Sequence, residues 1–120
     1  MNNQKLADSD YRFMEVIWDH EPVGSMELVK LCEKKLGWKK STTFTMLRKM
    51  SDKQMVENVN STVHSLVTRE EIEASHSDYV VNNTFHGSLP RFITAFLGNK
   101  TLSREEADEL RRLIDEHQED

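Results

Sequence analysis

Over residues 8–20, apolar side chains return at three-to-four spacing, with Tyr11, Met14, Ile17 and Trp18 on one side, and this predicts an amphipathic helix whose stripe faces a core. Asp8 or Ser9 is placed to cap it. Glu21-Pro22-Val23-Gly24 stops the pattern and leaves an extended connection. A second helix follows over 25–36, with Leu28, Leu31, Cys32 and Leu36 inward and Lys30, Glu33 and Lys34 outward. Gly37 is its C-cap and Trp38 lies in the short turn beyond. Ser41 then caps a third helix over 41–53, on which the spacing allows Phe44, Leu47 and Met50 as a buried stripe.

The period then shortens. Over 55–67, Val59, Ser61, Val63, Ser65 and Val67 alternate along a stretch interrupted by Asn60-Ser61, which predicts a short β-hairpin with its turn at that pair. Helix, helix, helix, hairpin is the element order of a winged helix, and the second and third helices form its helix-turn-helix candidate. Residues 68–120 are helical again. Thr68 with Glu71, and Ser103 with Glu106, each read as a capping box. Between them Ser88-Leu89-Pro90 starts a middle helix with Phe92, Ile93 and Phe96 on one side, ending near Gly98, and the last helix carries Leu110, Leu113 and Ile114 on one face. Such narrow stripes leave the arm little interior of its own. Burying them against a second copy is the physical solution, so a homodimer is expected, with Phe85, Phe92, Ile93, Phe96, Leu110, Leu113 and Ile114 as its contact residues. The fold class is therefore mainly α: a winged helix over 1–67 and a helical dimerisation region over 68–120.

Composition narrows the function. The chain has 120 residues, 37% hydrophobic and 31% charged, enough for a small domain with an appended arm. No apolar run approaches the roughly 20 residues that span a bilayer, and the opening MNNQKLADSDYRF lacks a signal-peptide core, so no membrane insertion and a cytoplasmic location are expected. Cys32 is the single cysteine, which agrees with a reducing compartment, and on its stripe it reads as a small buried hydrophobe. The histidines at 20, 64, 76, 86 and 117 are scattered without ligand spacing, and there is no nucleophile motif or glycine-rich phosphate loop. No enzyme activity, cofactor or metal site is expected.

The net charge is −5, but it is unevenly spread: residues 1–67 hold ten Lys/Arg against nine Asp/Glu, and residues 68–120 hold six against twelve. Within 30–53, eight Lys/Arg face only Glu33 and Asp52. Such a patch on an acidic chain is where an anion docks. By contrast, residues 54–68 contain no Lys or Arg, so the hairpin has little to offer a phosphate.

Four phrases, GWKKSTTFTMLRKM at 37–50, LVTREE at 66–71, FHGSLPRFITAFL at 85–97 and LSREEADELRRLI at 102–114, resemble the penicillinase repressor family (the BlaI/MecI/CopY group), and in the same order. The resemblance implies a winged helix, a three-helix dimerisation arm and repression by a homodimer binding a palindromic operator in double-stranded DNA. It also implies release by an inducing signal or a protease. Carried over by position, it turns Thr43, Met46, Leu47 and Met50 inward and Ser41, Thr42, Phe44, Thr45 and Arg48 toward DNA, in contrast to the stripe that spacing alone allows. Thr hydroxyls can bond base edges or phosphates, Thr methyls or Phe44 can meet a thymine methyl, and Arg48 can grip a guanine bidentately. Lys39, Lys40 and Lys49 supply cationic contacts around them. Four positions depart from the family pattern. Phe44 stands where many relatives carry Lys, Arg or Gln, Gln54 replaces a usual Gly, the hairpin is short and uncharged at its tip, and Ala95-Phe96 takes the place of the Asn-Phe pair cut in antibiotic-responsive members. No cysteine-rich tail of the copper-responsive kind is present, so neither release mechanism carries over. The rival expectation is a winged helix that binds protein and no longer reads DNA. The basic, hydroxyl-rich patch separates the two, since a protein-binding surface has no need of Thr42, Thr45 and Arg48 beside Lys39 and Lys40.

Overall fold

The computed structural model describes residues 6–119. Its elements are α1 (Asp8–His20), β1 (Val23–Gly24), α2 (Ser25–Leu36), α3 (Lys40–Asp52), β2 (Val56–Val59), β3 (Thr62–Ser65), α4 (Arg69–Thr84), α5 (Leu89–Leu97) and α6 (Arg104–Glu116). This is a winged helix followed by three helices, in a molecule measuring 48 × 30 × 25 Å.

The core gathers where α1, α2 and α3 meet the sheet. Phe13, Met14 and Ile17 of α1, Leu28 and Cys32 of α2 and Met50 of α3 are fully buried, together with Val23, Val56 and Val63. The α1 stripe is rotated from the one expected. Phe13 and Val16 join the core, whereas Tyr11 and Trp18 are half-buried on its flank, 5.8 Å apart edge to face, where α4 passes. On α2 the expected span is correct. Leu28 and Cys32 are fully buried, Val29 joins them, and Leu31 and Leu36 are half-buried.

Two helix starts differ from expectation. The N-cap of α1 is Ala7, with no side-chain capping bond, because Asp8 pairs with Arg12 at 3.1 Å and Asp10 turns into the protein. The N-cap of α3 is Lys39, ahead of Ser41, again without a side-chain cap. The other boundaries agree closely. Gly37 adopts the left-handed conformation at φ 71°, and the N–H groups of Gly37 and Trp38 donate to the Glu33 and Cys32 carbonyls at 3.0 and 3.3 Å, closing α2. Thr68 and Glu71 form the reciprocal capping box, with bonds of 3.0 and 2.8 Å. Ser88 and Ser103 accept from the Arg91 and Glu106 N–H groups at 3.2 and 3.1 Å.

The hairpin is present with its turn at Asn60 and Ser61, both at positive φ (52° and 62°), the conformation a tight two-residue turn requires. The extended connection after α1 is itself a strand. Val23 and Gly24 pair with Val63 and Thr62, giving an antiparallel sheet of order β1-β3-β2.

Candidate nucleic-acid interface

The two sides of α3 divide sharply. Thr43, Leu47 and Met50 are buried beneath it, while Ser41, Thr42, Thr45 and Arg48 are exposed. Phe44 is half-buried against the core with Met46, so Thr43 takes the place that spacing alone allows for Phe44. Part of the Phe44 surface stays open to solvent, and the Lys40 ammonium lies 5.9 Å from its ring centroid. Beneath the helix, burial pushes the Cys32 thiol pKa up, with the Thr43 side chain working the other way.

The entrance to α3 is held from the core. Trp38 stacks on Phe13 with ring centroids 5.9 Å apart and planes 15° from parallel, which fixes the turn between α2 and α3. Lys39 and Lys40 follow it and are exposed, and the first turn of α3 contains no acidic residue. The first N–H groups of a helix lack intrahelical acceptors and carry the positive end of its dipole, so this end attracts an anion. Ser41, Thr42 and Thr45 line an open hollow of about 350 Å³ along the outer side, together with Lys49. The Lys49 ammonium is committed inward: it donates to Asp10 Oδ1 at 3.0 Å, and Lys53 stands 3.8 Å from the other oxygen.

The wing is neutral or acidic. Glu57 and His64 face each other across β2 and β3 at 3.2 Å, and Val59 is exposed beside the turn. The sheet is tied to the end of α1 by Glu21, whose carboxylate accepts from the Ser65 N–H at 2.6 Å and from its hydroxyl at 2.9 Å.

The arm presents the opposite surface. No residue of α5 or α6 is buried. Phe85, Phe92 and Phe96 form a row, with centroids 5.4 and 6.2 Å apart, and an apolar gap of about 490 Å³ between α5 and α6 is lined by Ile93, Phe96, Leu110 and Ile114 among others. Phe96 is 56% exposed and Ile114 66%, with Leu113 also in the open. Fully burying one such side chain is worth about 1.5–3 kcal/mol.

Residues 6–116 match the family described as penicillinase repressor. The chain belongs to that family. It is 29% identical to the penicillinase repressor of Bacillus licheniformis, over 94% of this chain and 91% of that protein. It is 18% identical to the methicillin resistance regulatory protein MecI of Staphylococcus aureus (strain N315), over 92% of this chain and 93% of that protein, and equally to the protein of that name from Mammaliicoccus sciuri. A penicillinase repressor is a transcriptional repressor and not an enzyme, in keeping with the absence of a catalytic motif from the sequence. No helix among the described residues is long and apolar enough to cross a membrane.

Within the penicillinase repressor pattern, the departures have physical settings. Gln54 sits at φ 61°, in the left-handed region where the usual Gly is free of Cβ strain. Ala95 and Phe96 lie exposed on α5, with Phe96 stacked on Phe92 and the Lys100 ammonium 5.0 Å from its ring. Sequence reasoning missed Asp10, whose partners stand 39 and 43 positions away and leave no local pattern. It also missed Arg69, which reaches back from α4 to Asp19 and Glu15 of α1.

Proposed function

We propose that the protein is a homodimeric transcriptional repressor that binds a palindromic operator in double-stranded DNA through α3. The observation that carries this is the two-sidedness of α3. Its buried Thr43, Leu47 and Met50 fix the helix to the core, and its exposed Ser41, Thr42, Thr45 and Arg48 face outward beside Lys39 and Lys40. In this assignment Lys39, Lys40 and the helix N-terminus hold phosphates and set register. Thr42, Thr45 and Arg48 then read base edges, with the Phe44 ring edge against a thymine methyl. The wing carries no Lys or Arg and contributes little, so α3 supplies most of the grip. The apolar faces of α5 and α6 join two copies, which presents two recognition helices to two half-sites. The division into a DNA-binding unit over 1–67 and a dimerisation unit over 68–120 follows from these two surfaces.

Fluorescence anisotropy on a duplex from the chain's own promoter region, repeated across salt concentrations, tests it. About three phosphate contacts per protomer give a log–log salt slope near −5 for the dimer, at roughly −0.9 per contact. Binding that ignores salt, or no binding at low salt, overturns the proposal.

A further inference from the structure

Asp10 is the one buried charged side chain among the described residues, at 1% exposure. It lies in the first turn of α1, and both of its carboxylate oxygens face α3: Lys49 Nζ stands 3.0 Å from Oδ1 and Lys53 Nζ 3.8 Å from Oδ2. The two lysines are one helical turn apart, and their side chains keep 46% and 44% of their surface open to solvent. Lys49 also lines the outer hollow with Ser41, Thr42 and Thr45. The same lysine therefore touches the surface assigned to DNA on one side and an internal carboxylate on the other.

We infer that Asp10 is a charge-masking residue, which withholds Lys49 and Lys53 from DNA phosphates and so limits the sequence-independent affinity of the recognition helix. This rests on α3 being the DNA-binding surface. A carboxylate taken out of water is tolerated only while cations stay close to it. A phosphate that drew Lys49 away would uncover Asp10 and meet its negative charge as well. Contacts to phosphate carry no sequence information, so two masked lysines reduce attraction to any duplex without touching Thr42, Thr45 or Arg48. For a repressor surrounded by non-cognate DNA, lower sequence-independent affinity leaves more protein free to find its operator.

The test uses the full chain with Asp10→Asn, which keeps the shape and removes the charge. Binding is measured on the promoter duplex and on a scrambled duplex of equal length across salt concentrations, and elution from heparin–agarose is followed in parallel. The expected result is tighter binding to the scrambled duplex at low salt, on the order of tenfold, with a slope steeper by about one for each lysine released. Elution from heparin moves to higher salt, and adding Lys49→Gln and Lys53→Gln to Asp10→Asn returns both readings to the wild-type values. A folded Asp10→Asn protein with unchanged slope and elution overturns the inference, as does weaker binding to both duplexes. Should that variant fail to fold, Asp10→Asn with Lys49→Met removes the closer pair as a unit, a change that folded proteins accommodate better than a broken pair. Lys53 alone then steepens the slope by about one, and no change there is equally fatal. Wild-type protein that ignores promoter DNA at every salt concentration defeats the DNA-binding proposal instead, and the heparin measurement still decides whether Asp10 masks the lysines.

Discussion

Arg69, the first residue of α4, donates from Nη2 to the Asp19 carboxylate near the end of α1 at 2.8 Å. The same guanidinium lies 5.1 Å from the Trp18 ring and 3.7 Å from Glu15, and Trp18 donates from Nε1 to the Val67 carbonyl at 3.0 Å. These contacts fix the direction in which the arm leaves the winged helix. In the proposed dimer they would set the separation of the two α3 helices as well.

Replacing Arg69 with Ala is expected to lower unfolding free energy by about 1 kcal/mol, since the ion pairs are partly solvated and the stacking on Trp18 adds only a modest amount. Its larger effect is geometric. Operators with one base pair added between the half-sites should be penalised less by Arg69→Ala than by the wild type in competition binding, and an identical penalty would show that the joint does not set the spacing.

Arg48→Ala should weaken promoter binding by about 1–3 kcal/mol and relax preference at one base pair in each half-site. Binding to a panel of singly substituted duplexes reads this directly. An equal loss on scrambled DNA would assign Arg48 to a phosphate.

Phe96→Asp and Leu110→Asp each place a charge in the apolar gap between α5 and α6, where both side chains are exposed in a single copy. Sedimentation velocity is expected to show monomers, and operator binding should fall because the half-sites are then occupied independently. A persistent dimer would move the interface elsewhere.

Cys32 is fully buried and its thiol pKa is raised by that burial. The folded state therefore holds its proton at pH values where the unfolded chain begins to lose it, so this group contributes stability that falls as pH rises above the unfolded value. Thiol-specific reagents at mildly alkaline pH should label native protein only as fast as it opens, and denatured protein at once. Rapid labelling of the native form would place Cys32 at the surface.

What was legible in the sequence follows the range of the forces involved. The span of α2, the Gly37 cap, the Thr68–Glu71 box and the Asn60-Ser61 turn are written in residues a few positions apart, and each appears where expected. The start of α3 was misplaced because a serine at a helix start is a local cue, whereas the turn is set by Trp38 stacking on Phe13 from another helix. Likewise, β1 exists because β3 pairs with it, and two residues carry no period of their own. Tyr11 and Trp18 share the α1 spacing with the core, and only the passage of α4 makes their side a flank. On α3, periodicity could not choose between Thr43 and Phe44. Family resemblance could, and the buried position belongs to Thr43.

If the proposed dimer forms through the apolar face left open on α5 and α6, the amount of this protein becomes a regulatory variable. Where two copies must meet through that face before they hold an operator, and the pool is mostly monomeric, occupancy of a sparsely filled site follows the square of concentration, so halving the protein leaves about a quarter of the repression complex. The genes it controls would then respond to dilution at cell division, or to any change in its synthesis, more steeply than to the loss of a repressor that acts alone.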